Sequence, residues 1–280
     1  MTTHDFTIQV FQSKRHLKAR LSQSHFDPST LQKLVIIATG LHSHMDKESQ
    51  IKTSNTYQNA GFDTLQFNFT GHGQGQNKSD GTLNDITLSS SIQDLKTIWD
   101  YAQTKLPVSP NQISIHANSY GALISLLALE KNLISPESMV LIAPFSMDKF
   151  KQLRIPLSIL TKFMPEKITK ILKLPISSEM LIDFLKKHTR GMEKKDLLSN
   201  TAIHFFVGSQ DKVSSPKTIQ KWCQQFNTHQ PKNVPFVDSI QAHYKEYPDV
   251  KHFNIPDEIH QDIMMRSIDF INLTRRLRSR

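Results

Sequence analysis

Apolar and polar positions along the chain switch between two periods, and that switching predicts the elements. KLVIIATG is a buried strand ending at Gly40, and FDTLQFNF, ISIHA, SMVLIAPF and AIHFFVG read as further strands. Two earlier stretches, Phe6 to Phe11 and His16 to Leu21, predict an opening hairpin of strands. Between these runs the period becomes helical. A helix is predicted from Glu48 to Asn59. Another follows Ser89, with Ile92, Leu95, Ile98 and Trp99 on one face behind a serine cap. From Gly121 onward Ala122, Leu126 and Leu129 share a face, and a further helix is predicted near Thr218 to Phe226. KHFNI reads as the last strand, before a closing helix. GHGQGQNKSDG sustains neither period and is a loop.

Strands alternating with helices predict an α/β fold with a mostly parallel central sheet and helices on both faces. Such sheets keep reactive groups beyond the carboxyl ends of their strands. The core is expected over residues 1–145 and 201–280, with 146–200 inserted between the strands SMVLIAPF and AIHFFVG.

Composition narrows the picture. The 280 residues suit one α/β domain carrying an insertion. No run of eighteen or more apolar residues exists, so no transmembrane segment is expected, and MTTHDFTIQV does not resemble a signal peptide. The one cysteine, Cys223 in IQKWCQQF, reads as structural, and a lone cysteine suits a reducing cytoplasm. The net charge of +9 comes from 34 Lys and Arg against 25 acids. Much of it lies between Lys149 and Lys195, where twelve basic residues face four acidic ones. Those bases are spread through an apolar-rich helical stretch without a recognised binding motif, so nucleic acid is not the expected partner.

The candidate chemistry centres on Ser119. It lies where strand passes into helix with no loop, in the sequence Ala-Asn-Ser-Tyr-Gly. A turn that tight strains the backbone and stands the hydroxyl clear of the sheet, provided that the residues two positions either side are small. Ala117 and Gly121 are. A serine hydroxyl needs a base to take its proton. His260, at the mouth of the closing helix, is the expected base. His252 falls at the start of the predicted strand KHFNI, on the far side, and His243 lies in a polar stretch of uncertain structure. Asp211, just beyond AIHFFVG, is the expected carboxylate and gives the chain order Ser, Asp, His. Its plainer reading is a helix cap or a turn with Gly208, and Asp148 is a rival. Backbone N–H groups of Tyr120 and of Leu41, after Gly40, are expected to form an oxyanion hole.

Together these pieces resemble the α/β-hydrolase superfamily, and within it the bacterial cinnamoyl/feruloyl esterases. The resemblance rests on IIATGLHSHMDK, on NFTGHGQGQNKSDGTLNDITLSSSIQDLKTIWDYA and IHANSYGA, then on FFVGSQDKV and NIPDEIHQD. Three departures stand out. Thr39-Gly40 occupies the place of His-Gly, Ala117 replaces a glycine, and residues Gln74 to Lys78 lengthen the loop before Ser79-Asp80-Gly81. The resemblance implies an α/β-hydrolase fold with a helical cap over 146–200, broken by Pro156, Pro165 and Pro175. It also implies hydrolysis of a small carboxylic ester through an acyl-enzyme, with no cofactor. An apolar cap favours an acyl or aromatic group. Relatives with similar motifs include thioesterases, acyltransferases and peptidases. A non-catalytic binding protein of the same fold is the alternative of another class.

The basic cap admits a solvated face, attraction for an anionic substrate tail such as a coenzyme A thioester, or an acidic membrane surface. Two further motifs fail. His42-Ser-His44-Met-Asp46-Lys47 approaches a zinc-binding H-x-H-x-D-H run but ends in lysine, so no metal is expected. GHGQGQNKS has Asn77 where a phosphate-binding loop needs its second glycine.

Overall fold

A computed structural model describes residues 2–24, 33–146, 180, 183, 201–228, 242–252 and 255–278. Eight strands among these residues form one sheet: β1 (Thr2–Gln9), β2 (His16–Gln23), β3 (Leu34–Ala38), β4 (Asp63–Phe67), β5 (Ile113–Asn118), β6 (Ser138–Ile142), β7 (Ala202–Gly208) and β8 (Ala242–Tyr247). Their spatial order is β1-β2-β4-β3-β5-β6-β7-β8. The opening hairpin pairs antiparallel, β2 joins β4 antiparallel, and every later pairing is parallel. The helices are α1 (Glu48–Asn59), α2 (Leu88–Lys105), α3 (Tyr120–Glu130), α4 (Pro216–Thr228) and α5 (Asp257–Arg278).

Pleating sends alternate side chains of the central strands into two separate cores. Ile36, Ile115, Leu141 and Phe205 pack with α2, α3 and α4 residues such as Leu95, Leu126 and Trp222. Val35, Ile37, Val140 and Phe206 pack on the other face with Tyr57 of α1 and Ile263 and Phe270 of α5. Both faces are covered, so the central strands read as continuous apolar runs. Cys223 is buried in α4, its Sγ 3.2 Å from the Ala242 carbonyl oxygen, and burial pushes the thiol up to about 11.

Two expectations need correction. The helix cap before α2 is Thr87, whose hydroxyl accepts the Ser90 N–H at 3.0 Å while Ser90 Oγ accepts the Thr87 N–H at 2.9 Å. The larger error concerns the last strand. Among the described residues it is AHYKEY: β8 ends at Tyr247, and Lys251 and His252, which open KHFNI, lie beyond it outside any strand. As an edge strand β8 has to satisfy only β7, and His243, Tyr244, Lys245 and Glu246 are exposed or half-buried. Its polar pattern therefore hid it beside the more apolar run that follows. Apart from Met180 and Asp183, the expected cap lies outside the described residues beyond Ser146, as does Asp148.

Candidate active site

The carboxyl edge of the sheet is built by register. Asn118 pairs with Ile142, and the Ser119 N–H continues the ladder to the Ile142 carbonyl at 2.8 Å. The Ala143 N–H likewise reaches Phe206 O at 2.7 Å. Gly208 pairs with Tyr247, and past both strands the Gln210 N–H donates to Val250 O at 3.0 Å. That last bond zips the loops after β7 and β8 together, so Asp211 and His252 emerge side by side. Gly208 permits the approach, because a Cβ there would stand 2.2 Å from Val250 O.

Ser119 occupies the bend between β5 and α3 with φ +48°, a conformation that non-glycine residues seldom adopt and that costs on the order of 1–3 kcal/mol. Small neighbours make the bend possible. A Cβ on Gly121 would stand 2.4 Å from Ala38 O and 2.6 Å from Thr39 O, so α3 can press on the end of β3 only through glycine. Ala117 is fully buried.

The serine hydroxyl lies 2.8 Å from His252 Nε2, and His252 Nδ1 lies 2.8 Å from Asp211 Oδ2. The second contact assigns the tautomer: a carboxylate can only accept, so Nδ1 carries the proton and Nε2 is free to accept from Ser119. Asp211 is held from behind, its Oδ1 accepting the N–H groups of Val213 at 2.8 Å and Ser214 at 2.7 Å. Its own N–H closes a turn onto Gly208 O at 3.0 Å. The turn with Gly208 read from sequence thus coexists with the imidazole contact, whereas Asp211 does not cap α4, which begins at Pro216 beyond the two amides it accepts. Ser214 Oγ donates to Ala143 O at 2.6 Å and lies 3.3 Å from His252 Nδ1, bracing the ring. Both side chains of the pair are nearly inaccessible to water, at 5% for His252 and 1% for Asp211.

The structure therefore brings Ser119 and Asp211 together but does not bring His260 to them. His260 sits in the first turn of α5, its N–H on Pro256 O at 2.9 Å and its Nε2 3.5 Å from Thr53 Oγ1 of α1. Burial, then the nearby Lys52 ammonium, lowers its proton affinity. The imidazole at the serine belongs to His252. A last strand at KHFNI puts His252 at its amino end, whereas β8 ends five residues before it. The available signal was a histidine three residues past Pro248-Asp249, a turn pair closing the alternating run AHYKEY.

Leu41 and Tyr120 flank the serine. Tyr120 opens α3, so its N–H has no intrahelical acceptor. Gly40 lies against the nucleophile loop, where a Cβ would be 3.6 Å from Ser119 Cβ, and the Ser43 N–H to Gly40 O bond of 3.0 Å turns the chain there. The Leu41 N–H makes no hydrogen bond among the described residues. Beside this turn runs the loop after β4, with the His72 ring stacked on His42 at 6.4 Å between centroids. Buried Asp94 of α2 anchors that loop, accepting the Thr70 N–H at 2.8 Å and the Thr70 hydroxyl at 3.1 Å. From the His42–His44–Asp46 run, Asp46 is engaged by Arg20 at 2.9 Å and by Asn77 at 3.0 Å.

A bent serine at the carboxyl edge, an imidazole and a buried carboxylate on an eight-stranded, mostly parallel sheet define the class as an α/β-hydrolase fold. The chain belongs to the Hydrolase_4 family, described as serine aminopeptidase, S33, whose model matches residues 29–196. No curated protein matches the chain in sequence. Among solved structures it is similar to Est1E of Butyrivibrio proteoclasticus with ferulic acid bound, at 17% identity and a TM-score of 0.65, covering 95% of this chain and 99% of that one. An esterase of Pyrococcus furiosus is similar at 18% identity and a TM-score of 0.66, covering 97% and 90%. The mouse α/β-hydrolase domain-containing protein 10 is similar at 13% identity and a TM-score of 0.68, covering 96% and 98%. Among the described residues no helix is long and apolar enough to cross a membrane.

Proposed function

We propose that this protein is a serine hydrolase that cleaves a small carboxylic ester with an apolar acyl or aromatic group through an acyl-enzyme. The carrying observation is the unbroken hydrogen-bond chain from Ser119 through His252 to Asp211. In this reading His252 Nε2 takes the Ser119 proton as Oγ attacks the ester carbonyl carbon, and the carbonyl electron pair moves onto oxygen. The Tyr120 and Leu41 N–H groups receive that oxyanion. The tetrahedral adduct collapses, the C–O bond to the alcohol breaks, and His252 returns the proton to the leaving oxygen. Water then attacks the acyl carbon as His252 Nε2 takes its proton, the second tetrahedral adduct collapses by breaking the bond to Ser119 Oγ, and His252 returns the proton to that oxygen as the acid leaves. Asp211 keeps the imidazole in the tautomer this requires and stabilises the imidazolium.

The segment 146–200 is proposed to cover the site as a cap, and its apolar residues to favour the acyl or aromatic group. A second reading, hydrolysis of an aminoacyl amide, draws on the family description and uses the same residues. A fluorophosphonate probe tests the class: labelling confined to Ser119 and lost in His252→Ala supports it, and an unlabelled protein refutes it. Specificity constants for p-nitrophenyl esters, acyl-CoA thioesters and aminoacyl anilides then separate the substrates.

A further inference from the structure

The first turn of α2 receives contacts from two distant parts of the chain. Its cap, Thr87, satisfies the Ser90 N–H, but α2 brings no acidic residue of its own to its first turn. The charge that a helix N-terminus favours comes from Asp183. Its Oδ2 accepts the Ser89 N–H at 2.8 Å, and Ser89 Oγ lies 3.0 Å and 2.9 Å from its two carboxylate oxygens. Met180, three residues earlier, is buried in the core cluster with α2 and α3 residues. From the other direction Tyr120, the residue after Ser119, places its hydroxyl 2.8 Å from Ser91 Oγ and 3.2 Å from Thr87 O. The same turn thus joins Asp183 to the residue beside the nucleophile.

We propose that Asp183 is a positioning residue for the reaction. It braces the N-terminus of α2, and through Thr87, Ser91 and the Tyr120 phenol it holds the Tyr120 amide where the oxyanion forms. The inference rests on the ester-hydrolase reading. Its effect belongs to the transition state, because the amide is needed when negative charge develops on the carbonyl oxygen and contributes little to ground-state binding.

Steady-state kinetics of the full chain on a p-nitrophenyl ester, well below the unfolding midpoint, test it. Asp183→Ala is expected to lower kcat about 10-fold with KM changed less than about twofold. Asp183→Asn, which keeps an acceptor for the Ser89 N–H, is expected to recover most of that loss. Tyr120→Phe breaks the same path, so the double variant with Asp183→Ala should be no slower than the slower single variant. An unchanged kcat, or losses that multiply, overturns the proposal. If Asp183→Ala does not fold, Ser89→Ala removes the hydroxyl partner and should lower kcat in the same direction. A wild-type protein that hydrolyses no ester and takes up no fluorophosphonate defeats the functional reading alone. Amide hydrogen exchange then decides the linkage. Faster exchange in Asp183→Ala at both Ser89 and Leu123, whose N–H bonds to Ser119 O at 3.1 Å, upholds it, and unchanged exchange at Leu123 refutes it.

Discussion

His252 Nε2 meets Ser119 Oγ at 2.8 Å across 133 residues of chain. The contact follows from parallel register. β5 and β6 end together level with Phe206, β7 and β8 run two residues further to Gly208 and Tyr247, and the loops that follow remain hydrogen-bonded to one another. Sequence distance is irrelevant once strands terminate along one edge.

The first prediction separates the two histidines. Ser119→Ala and His252→Ala are each expected to lower kcat for p-nitrophenyl acetate by about 10⁴-fold or more. His260→Ala should stay within about threefold of wild type, because its ring lies against Thr53 and not against the serine. A loss in His260→Ala as large as that in His252→Ala reverses the assignment.

Asp211→Asn should also cost about 10⁴-fold in kcat while leaving KM nearly unchanged. The asparagine can still accept from the Val213 and Ser214 amides, but its NH₂ group would face His252 Nδ1 and favour the wrong tautomer. Retained activity would show that another carboxylate serves the imidazole.

Gly121→Ala tests the bend itself. The added methyl would stand within 2.6 Å of two backbone oxygens, neither of which can swing away. The expected cost is about 3 kcal/mol of stability, read from urea unfolding. A wild-type midpoint with full activity would mean that α3 is not pressed on β3 as described.

Stability should also carry a pH signature from Asp94. Burial raises this carboxyl from 3.8 to about 6, outweighing the Thr70 hydrogen bonds that favour the charged form. The folded state therefore binds the proton more tightly than the unfolded chain. Between 3.8 and about 6 this group makes folding less favourable as pH rises, by on the order of 3 kcal/mol in all. Asp94→Asn should flatten that part of the stability profile. An identical profile in the variant would rule out Asp94 as its source.

The sequence alone determined the alternation of elements, the parallel sheet and the bend at Ser119. Each depends on local chemistry: an apolar run fits a doubly covered strand, and a small-x-Ser-x-Gly junction between a strand and an apolar helix fits a loopless turn. Asp211 was readable for the same reason, since it follows the apolar strand AIHFFVG within three residues. Which histidine faces the serine was a different kind of question. It depended on where an exposed edge strand begins and ends, and on the bond from Gln210 to Val250 that draws two loops together. Polar edge residues carry little periodic signal, and a contact spanning the width of the sheet leaves no trace in local pattern. Tertiary structure decided it, as it decided that Asp183 meets the first turn of a helix that begins ninety-odd residues earlier.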